Sequence, residues 1–294
     1  MTTPRLSVVV IFYNMQREAA RTLFTLGPRY QRNVEPDEYE VIAVDNGSSR
    51  PLDPEFVASH GPGFRYVRIE PGLPSPCAAI NQAVAQARGE YVMVCIDGAR
   101  MLSPGVLHYT LAATRAIARP FVYTLGMHLG ARPQNELIET GYCQDVEDQL
   151  LDTIDWREDG YRLFSISSVA YSSRKGFFSR LSESNCFTLA RSDYAAVGGM
   201  DERFASAGGG LANLDFFNRA NAQPDLQPVM LLGEASFHQF HGGVATNVRR
   251  EDHPWPRMAE EYAAITGRPY ALVHRAPVYL GSLSSDVHAG LAAL

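Results

Sequence analysis

Four short apolar runs, separated by helix-like stretches, dominate the first hundred residues and leave few folds open to the chain. Leu6 to Phe12 is β-branched and apolar throughout, as a strand buried on both faces requires. Glu40 to Val44, Phe64 to Ile69 and Tyr91 to Ile96 repeat the pattern. Between them, Glu18 to Leu26 and Cys77 to Ala87 have helical composition, and Gly89 marks a stop. Ser103-Pro104 predicts a capped helix start that runs toward Arg115. Strand and helix alternating with short connections predict an α/β fold, a doubly wound, mostly parallel sheet flanked by helices. Ligands of such sheets bind beyond the carboxyl ends of the strands. Three polar clusters stand at those ends: Phe12-Tyr13-Asn14, Asp45-Asn46-Gly47-Ser48 and Asp97-Gly98-Ala99-Arg100.

The second half is less regular. Tyr161 to Leu181 is rich in serine, aromatic and basic residues, including Arg174 and Lys175, and reads as a long loop or lid. Cys186 to Ala190 and Val229 to Leu232 predict strands, and Leu211 to Ala220 and Trp255 to Thr266 predict helices. No repeat or flexible linker interrupts the sequence, so one continuous domain is expected, its second half irregular.

Charge and cysteine usage exclude several classes. A formal net charge of -6 argues against a nucleic-acid partner. Cys77, Cys95, Cys143 and Cys186 form no CxxC or Cys/His cluster, which argues against a zinc site or a disulfide framework. No apolar stretch has the length of a membrane span. With no signal-like segment at Met1–Arg5, a reduced, cytoplasmic protein is expected.

Five motifs in order resemble the family 2 glycosyltransferases of GT-A fold. Ser7 to Asn14 is similar to the family's first strand, and Val44-Asp45-Asn46-Gly47-Ser48-Ser49 to its Val-Asp-Asp-Gly-Ser-Ser/Thr. Ala79-Ile80-Asn81 with Gly89-Glu90-Tyr91-Val92 resembles the stretch before the third motif, and Ile96-Asp97-Gly98 stands at Leu-Asp-x-Asp. Gly198 to Phe204 resembles Gly-Gly-Phe-Asp-Glu-x-Phe. The resemblance spans residues 6 to 245. It implies transfer of a hexosyl group from a nucleotide diphosphate sugar to an unknown hydroxyl acceptor, whether saccharide, lipid-linked or small molecule. It also implies a nucleotide-sugar-binding half at 1–125, an acceptor half at 126–245 and a C-terminal helical extension at 246–294.

The resemblance assigns Asp45 and Asn46 to the nucleotide base, through acceptance of a base N–H and an added amide bond. Phe12 and Tyr13 are candidates for stacking on the base, with packing the simpler role for Phe12. Asn81, Asp97 and Arg100 complete the expected substrate-binding set.

Two departures mark this chain. Ala99 stands where the family's metal-binding aspartate belongs, so dependence on manganese or magnesium is expected to be weak. Arg100 follows and is suited to phosphate. His238 and His241, with Asp97, form an alternative ligand set for a divalent cation. Asn213 stands where an inverting member places its base carboxylate, and an amide cannot take up a proton. Asp215 survives nearby but points another way on a helix, which leaves Asp201, Asp215 and Glu202 as the carboxylates at hand. Two rival readings stand beside the transferase. One is a nucleotide-sugar-binding protein that has lost catalysis. The other is a nucleotidyltransferase, which would want a glycine-rich phosphate loop that Phe12 to Arg17 lacks.

Overall fold

The run that opens the sequence becomes strand β1 (Leu6–Phe12), buried along its whole length. Its side chains divide between two cores. Val9 and Ile11 join Ile42 and Val44 on one face of the sheet, while Val8 and Val10 join Val41 and Ala43 on the other. A strand covered on both faces has no reason to alternate polar with apolar residues, and this one does not.

The computed structural model describes residues 3–173, 176–285 and 287. The further strands are β2 (Tyr39–Asp45), β3 (Phe64–Arg68), β4 (Tyr91–Cys95), β5 (Arg100–Leu102), β6 (Pro120–Leu129), β7 (Ser167–Val169), β8 (Cys186–Ala190), β9 (Gln227–His238) and β10 (Val278–Gly281). They form one sheet in the order β10-β9-β6-β8-β4-β1-β2-β3, with β5 against β9 and β7 against β6. Parallel pairing joins β4, β1, β2 and β3, and also β6, β9 and β10. β8 runs antiparallel to both β4 and β6 and welds the two groups. The expected halves therefore share a single sheet. The helices are α1 (Gln16–Leu26), α2 (Pro54–Ala58), α3 (Cys77–Ala85), α4 (Val106–Ala116), α5 (Gln134–Leu137), α6 (Gln144–Asp152), α7 (Arg191–Val197), α8 (Ala212–Ala222) and α9 (Trp255–Thr266). Among the described residues, no helix is long and apolar enough to cross a membrane.

Several elements differ from expectation for identifiable reasons. β6 carries no periodic signal, because all ten of its residues are buried in mid-sheet. Ser103 does not cap α4, whose N-cap is Gly105, because its hydroxyl donates instead to the buried Glu234 carboxylate. The 161–181 segment is not a bare loop. It holds 3-10 turns at Gly160–Ile166 and Tyr171–Ser173 around β7, while Arg174 and Lys175 lie outside the described residues. The C-terminal extension contributes the edge strand β10 as well as α9, so it is not purely helical.

β9 passes beyond Leu232, where the expected strand stopped. Gly233 has φ +81°, and a Cβ there would meet Ser282 O at 1.9 Å. This glycine permits an irregularity after which β9 leaves β10 and pairs with β5, setting His238 opposite Arg100.

Candidate active site

The carboxyl ends of β1, β2 and β4 gather the three polar clusters. Asp45 closes β2 but does not face solvent: it is fully buried, with Oδ1 accepting from Ser48 N at 2.8 Å and Oδ2 from Leu52 N at 3.2 Å. Asn14, in left-handed geometry at φ 53°, ties β1 to the same turn by accepting from Ser49 N at 3.0 Å. Asp45 thus shapes the loop that holds Asn46, which is itself buried and whose Nδ2 donates to Leu73 O at 2.8 Å. Replacement of Asp45 by alanine is therefore expected to perturb the fold as well as ligand binding. The stranded Ser48 and Leu52 amides cost about 1–3 kcal/mol each, and a urea melt measures the loss. An unchanged midpoint would refute this role. Phe12 is fully buried in the core, which corrects its assignment to substrate, whereas Tyr13 is 57% exposed at the mouth.

Asp97 lies just past β4, on a loop that approaches β1 closely. A Cβ at Gly98 would meet the Phe12 ring at 2.3 Å, so only glycine lets this loop sit there. Thr22 Oγ1 donates to Gly98 O, and Ala99 N to Asp97 Oδ1. The other carboxylate oxygen, Oδ2, is 3.0 Å from His238 Nε2 and 3.4 Å from His241 Nε2, and the two imidazole nitrogens are 3.2 Å apart. Ligand atoms of all three residues fall within 4.8 Å of one another.

The surrounding bonds decide which atoms carry protons. Gln134 Nε2 donates to His238 O at 3.0 Å, so its Oε1 faces His238 Nδ1 at 2.8 Å and makes that nitrogen the donor. Burial holds His238 down at about 4, and it is neutral. Its Nε2 therefore offers a lone pair toward an anionic carboxylate and a second imidazole. Burial works against charge on Asp97, but His241 and His238 overcome it and hold the carboxyl well below its ordinary value. Burial likewise opposes protonation of His241, yet Asp97 outweighs it and raises the imidazole. Three electron-pair donors converging on one point need a positive charge between them, either a shared proton or a cation. An imidazole–carboxylate set with open positions suits a divalent metal, and a Gln134-oriented histidine is the usual support for one.

Arg100 is placed differently from expectation. It lies on β5, not in a loop, and is buried, with Nε and Nη1 lacking partners among the described residues. Burial lowers its pKa, and the nearby Asp97 and Glu183 work in the opposite direction. Its positive charge thus sits within the field of both carboxylates.

Three expected residues serve the scaffold. Asn81 donates to Met200 O and Glu202 Oε1, each at 2.8 Å, and accepts from Tyr194 OH and Met200 N, so it clamps the 198–202 turn to α3. The Asp201 carboxylate takes two-pronged bonds from Arg203, which lower its pKa. Asn81 and Asp201 line a separate cavity of ≈ 420 Å³ with Arg203 and Arg219. Asp215 accepts from Arg219 Nε at 2.6 Å, and that arginine donates in turn to Val197 O and Gly199 O. Both aspartates named as catalytic candidates are thus held in ion pairs with neighbouring arginines.

Sequence reasoning missed four residues around the cluster. Gln134 orients His238, as described above. Asn247 Oδ1 accepts from the backbone N–H groups of His241, Gly242 and Gly243 at 2.9–3.1 Å. Glu147, fully buried on α6, accepts from Phe240 N at 2.7 Å and pairs with Arg17. Glu183 receives Asn213 Nδ2 at 2.7 Å. None sits in a motif, and each lies in a polar stretch where one more carboxylate or amide gives no signal.

Residues 7–108 match the family described as Glycosyl transferase family 2. A comparison with curated proteins finds no match. Among solved structures, TarS 1–349 of S. aureus in complex with UDP is 15% identical over 91% of this chain and 67% of its own, with a TM-score of 0.55. The mannosyltransferase PcManGT of Pyrobaculum calidifontis, in complex with GDP-Man and Mn2+, is 15% identical over 92% and 66%, with a TM-score of 0.51. The chain spans 60% of another TarS 1–349 structure and 43% of the longer TarS structure. At such identities the structural likeness establishes the fold. The chain carries the GT-A fold, and its residues 7–108 are similar to glycosyl transferase family 2.

Proposed function

We propose that this protein transfers a hexosyl group from a nucleoside diphosphate sugar to a hydroxyl acceptor, with inversion, using a divalent cation. The observation that carries this reading is the convergence of Asp97 Oδ2, His238 Nε2 and His241 Nε2 at the end of β4 within the family 2 segment. Asn46 and the exposed ring of Tyr13 are suited to the base, by an amide bond and by stacking. Asp97, His238 and His241 would hold the cation, whose chemistry is neutralisation of charge on the departing diphosphate. The second imidazole supplies in space the ligand that Ala99 removes in sequence, so cation dependence is expected to be strong rather than weak. Arg100 adds a fixed positive charge behind Asp97.

UDP-bound TarS and GDP-Man- and Mn2+-bound PcManGT suggest the first probes. UDP-GlcNAc and GDP-mannose should be tested by thermal shift with and without manganese. A donor present at 100 times its Kd stabilises the folded state by about 2.7 kcal/mol, which appears as a rise of several degrees. No shift with either donor in the presence of manganese would sink the proposal. Donor binding without steady release of nucleoside diphosphate would favour the binding-only alternative.

A further inference from the structure

The glycosyl-transfer reading above leaves one chemical requirement unmet. An acceptor hydroxyl must lose its proton as it attacks, and Asn213, at the position of the family's base, cannot take it. We infer that Glu183 is the general base of this protein, filling in space the role that Asn213 vacates in sequence. The inference rests on that glycosyl-transfer reading.

Three observations carry it. Asn213 Nδ2 donates to Glu183 Oε2 at 2.7 Å and reaches Asn185 Oδ1 at 3.3 Å, so a carboxylate lies one hydrogen bond from the amide. Second, the chain brings Glu183 to the correct end of the sheet. Cys186, the first residue of β8, pairs with Cys95, the last of β4, and Ile96 N donates to Asn185 O. Glu183 therefore stands at the sheet end that carries Asp97, and the charge of Arg100 acts on both carboxylates. Third, an open cleft lies beside Glu183. That residue is half-buried, next to Ser182 in the chain and with Ser172 nearby. Ser172 and Ser182 line a cleft of ≈ 740 Å³ with Phe178, Arg180 and Tyr279. Phe178 is 69% exposed, with its ring 5.3 Å from that of Tyr279, an apolar wall of the kind on which a sugar face packs.

The environment suits a base. Burial raises the Glu183 carboxyl, while Arg100, Asn213, Ser172 and Asn185 moderate the rise and keep the anion accessible. A base is most effective with a pKa near the working pH. In the step, the acceptor O–H proton passes to a Glu183 carboxylate oxygen. The freed oxygen electron pair forms the bond to the anomeric carbon. The bond from that carbon to the diphosphate oxygen breaks, and its electrons leave on the nucleoside diphosphate.

The test uses the full chain with manganese and whichever of UDP-GlcNAc or GDP-mannose binds it. Water serves as the smallest hydroxyl acceptor, and nucleoside diphosphate release is the readout. Glu183→Gln is expected to lower kcat by about 100-fold to 10,000-fold while donor affinity by calorimetry stays within about twofold. The double variant E183Q/N213D returns a carboxylate to the neighbouring position and should recover most of the lost rate. Glu183→Asp keeps the charge and tests the site if the glutamine variant melts early. A kcat within about threefold of the parent in a folded Glu183→Gln protein overturns the assignment. So does a rate loss matched by an equal loss of donor affinity. If the parent protein binds neither donor, the proposed function fails first, on a measurement that does not involve Glu183, and the base falls with it.

Discussion

Asp97→Asn is expected to reduce manganese affinity by about 100-fold or more, measured by titration calorimetry or by the free-manganese paramagnetic signal. The carboxylate is the only anion among the three convergent groups, and His238 is held neutral by burial with its Nδ1 proton on Gln134. An asparagine removes the charge and offers either a carbonyl or an amino group to two imidazole nitrogens. His238→Ala should cost a similar factor. Gln134→Ala, which frees the imidazole to rotate and to change tautomer, should cost about 10–100-fold. This graded series separates a cation site from a merely proton-sharing cluster. If the cluster only shares a proton, all three variants will bind manganese as the parent does.

Glu147→Ala should produce the second large effect, and its size should depend on pH. Glu147 is fully buried, and its Oε2 accepts from Phe240 N, Gln134 Nε2 and Tyr142 OH. The latter two groups have other acceptors, in Leu129 O and His238 O, whereas Phe240 N loses its partner. A stranded amide and the cavity left behind predict a loss on the order of 3 kcal/mol near pH 5. Burial pushes the Glu147 carboxyl up to about 7, although Phe240 N–H and Arg17 oppose it. The folded state therefore holds this proton more tightly than the unfolded chain does. The stability it contributes is full below the ordinary carboxylate pKa and is lost as pH rises through 7. The cost of Glu147→Ala should accordingly shrink by up to about 3 kcal/mol between pH 5 and pH 8. Urea melts at both values decide the matter, and a cost that grows with pH would contradict it. Because Phe240 lies between His238 and His241, manganese affinity should fall as well.

The strand ends were the legible part of the site. β1 and β8 match the expected runs residue for residue, and β2, β3 and β4 differ by one or two residues. Buried parallel strands are written in contiguous β-branched and apolar residues, which a local window detects. The same logic placed Asp97 at a carboxyl end, and the family resemblance marked His238 and His241 as its partners. Neither could show that the side chains of Asp201, Asp215 and Asn81 bond to Arg203, Arg219 and the 198–202 turn.

What the local sequence determined by itself is the alternation of strand and helix, the double-sided burial of β1, β2 and β4, and hence the end of the sheet where chemistry gathers. Those properties depend on neighbours within one turn or one strand. Tertiary structure alone decided which polar groups meet there. Gly233 redirects β9 so that His238 crosses from one strand group to Asp97 on the other, 141 residues away. β8 enters antiparallel between β4 and β6 and carries Glu183 to Asn213, 30 residues apart, beside a carboxyl end formed by the first half. Such pairings are set by sheet order and by one strand's change of partner. Sheet order is a property of the whole chain, because each strand's place depends on which apolar face remains to be covered.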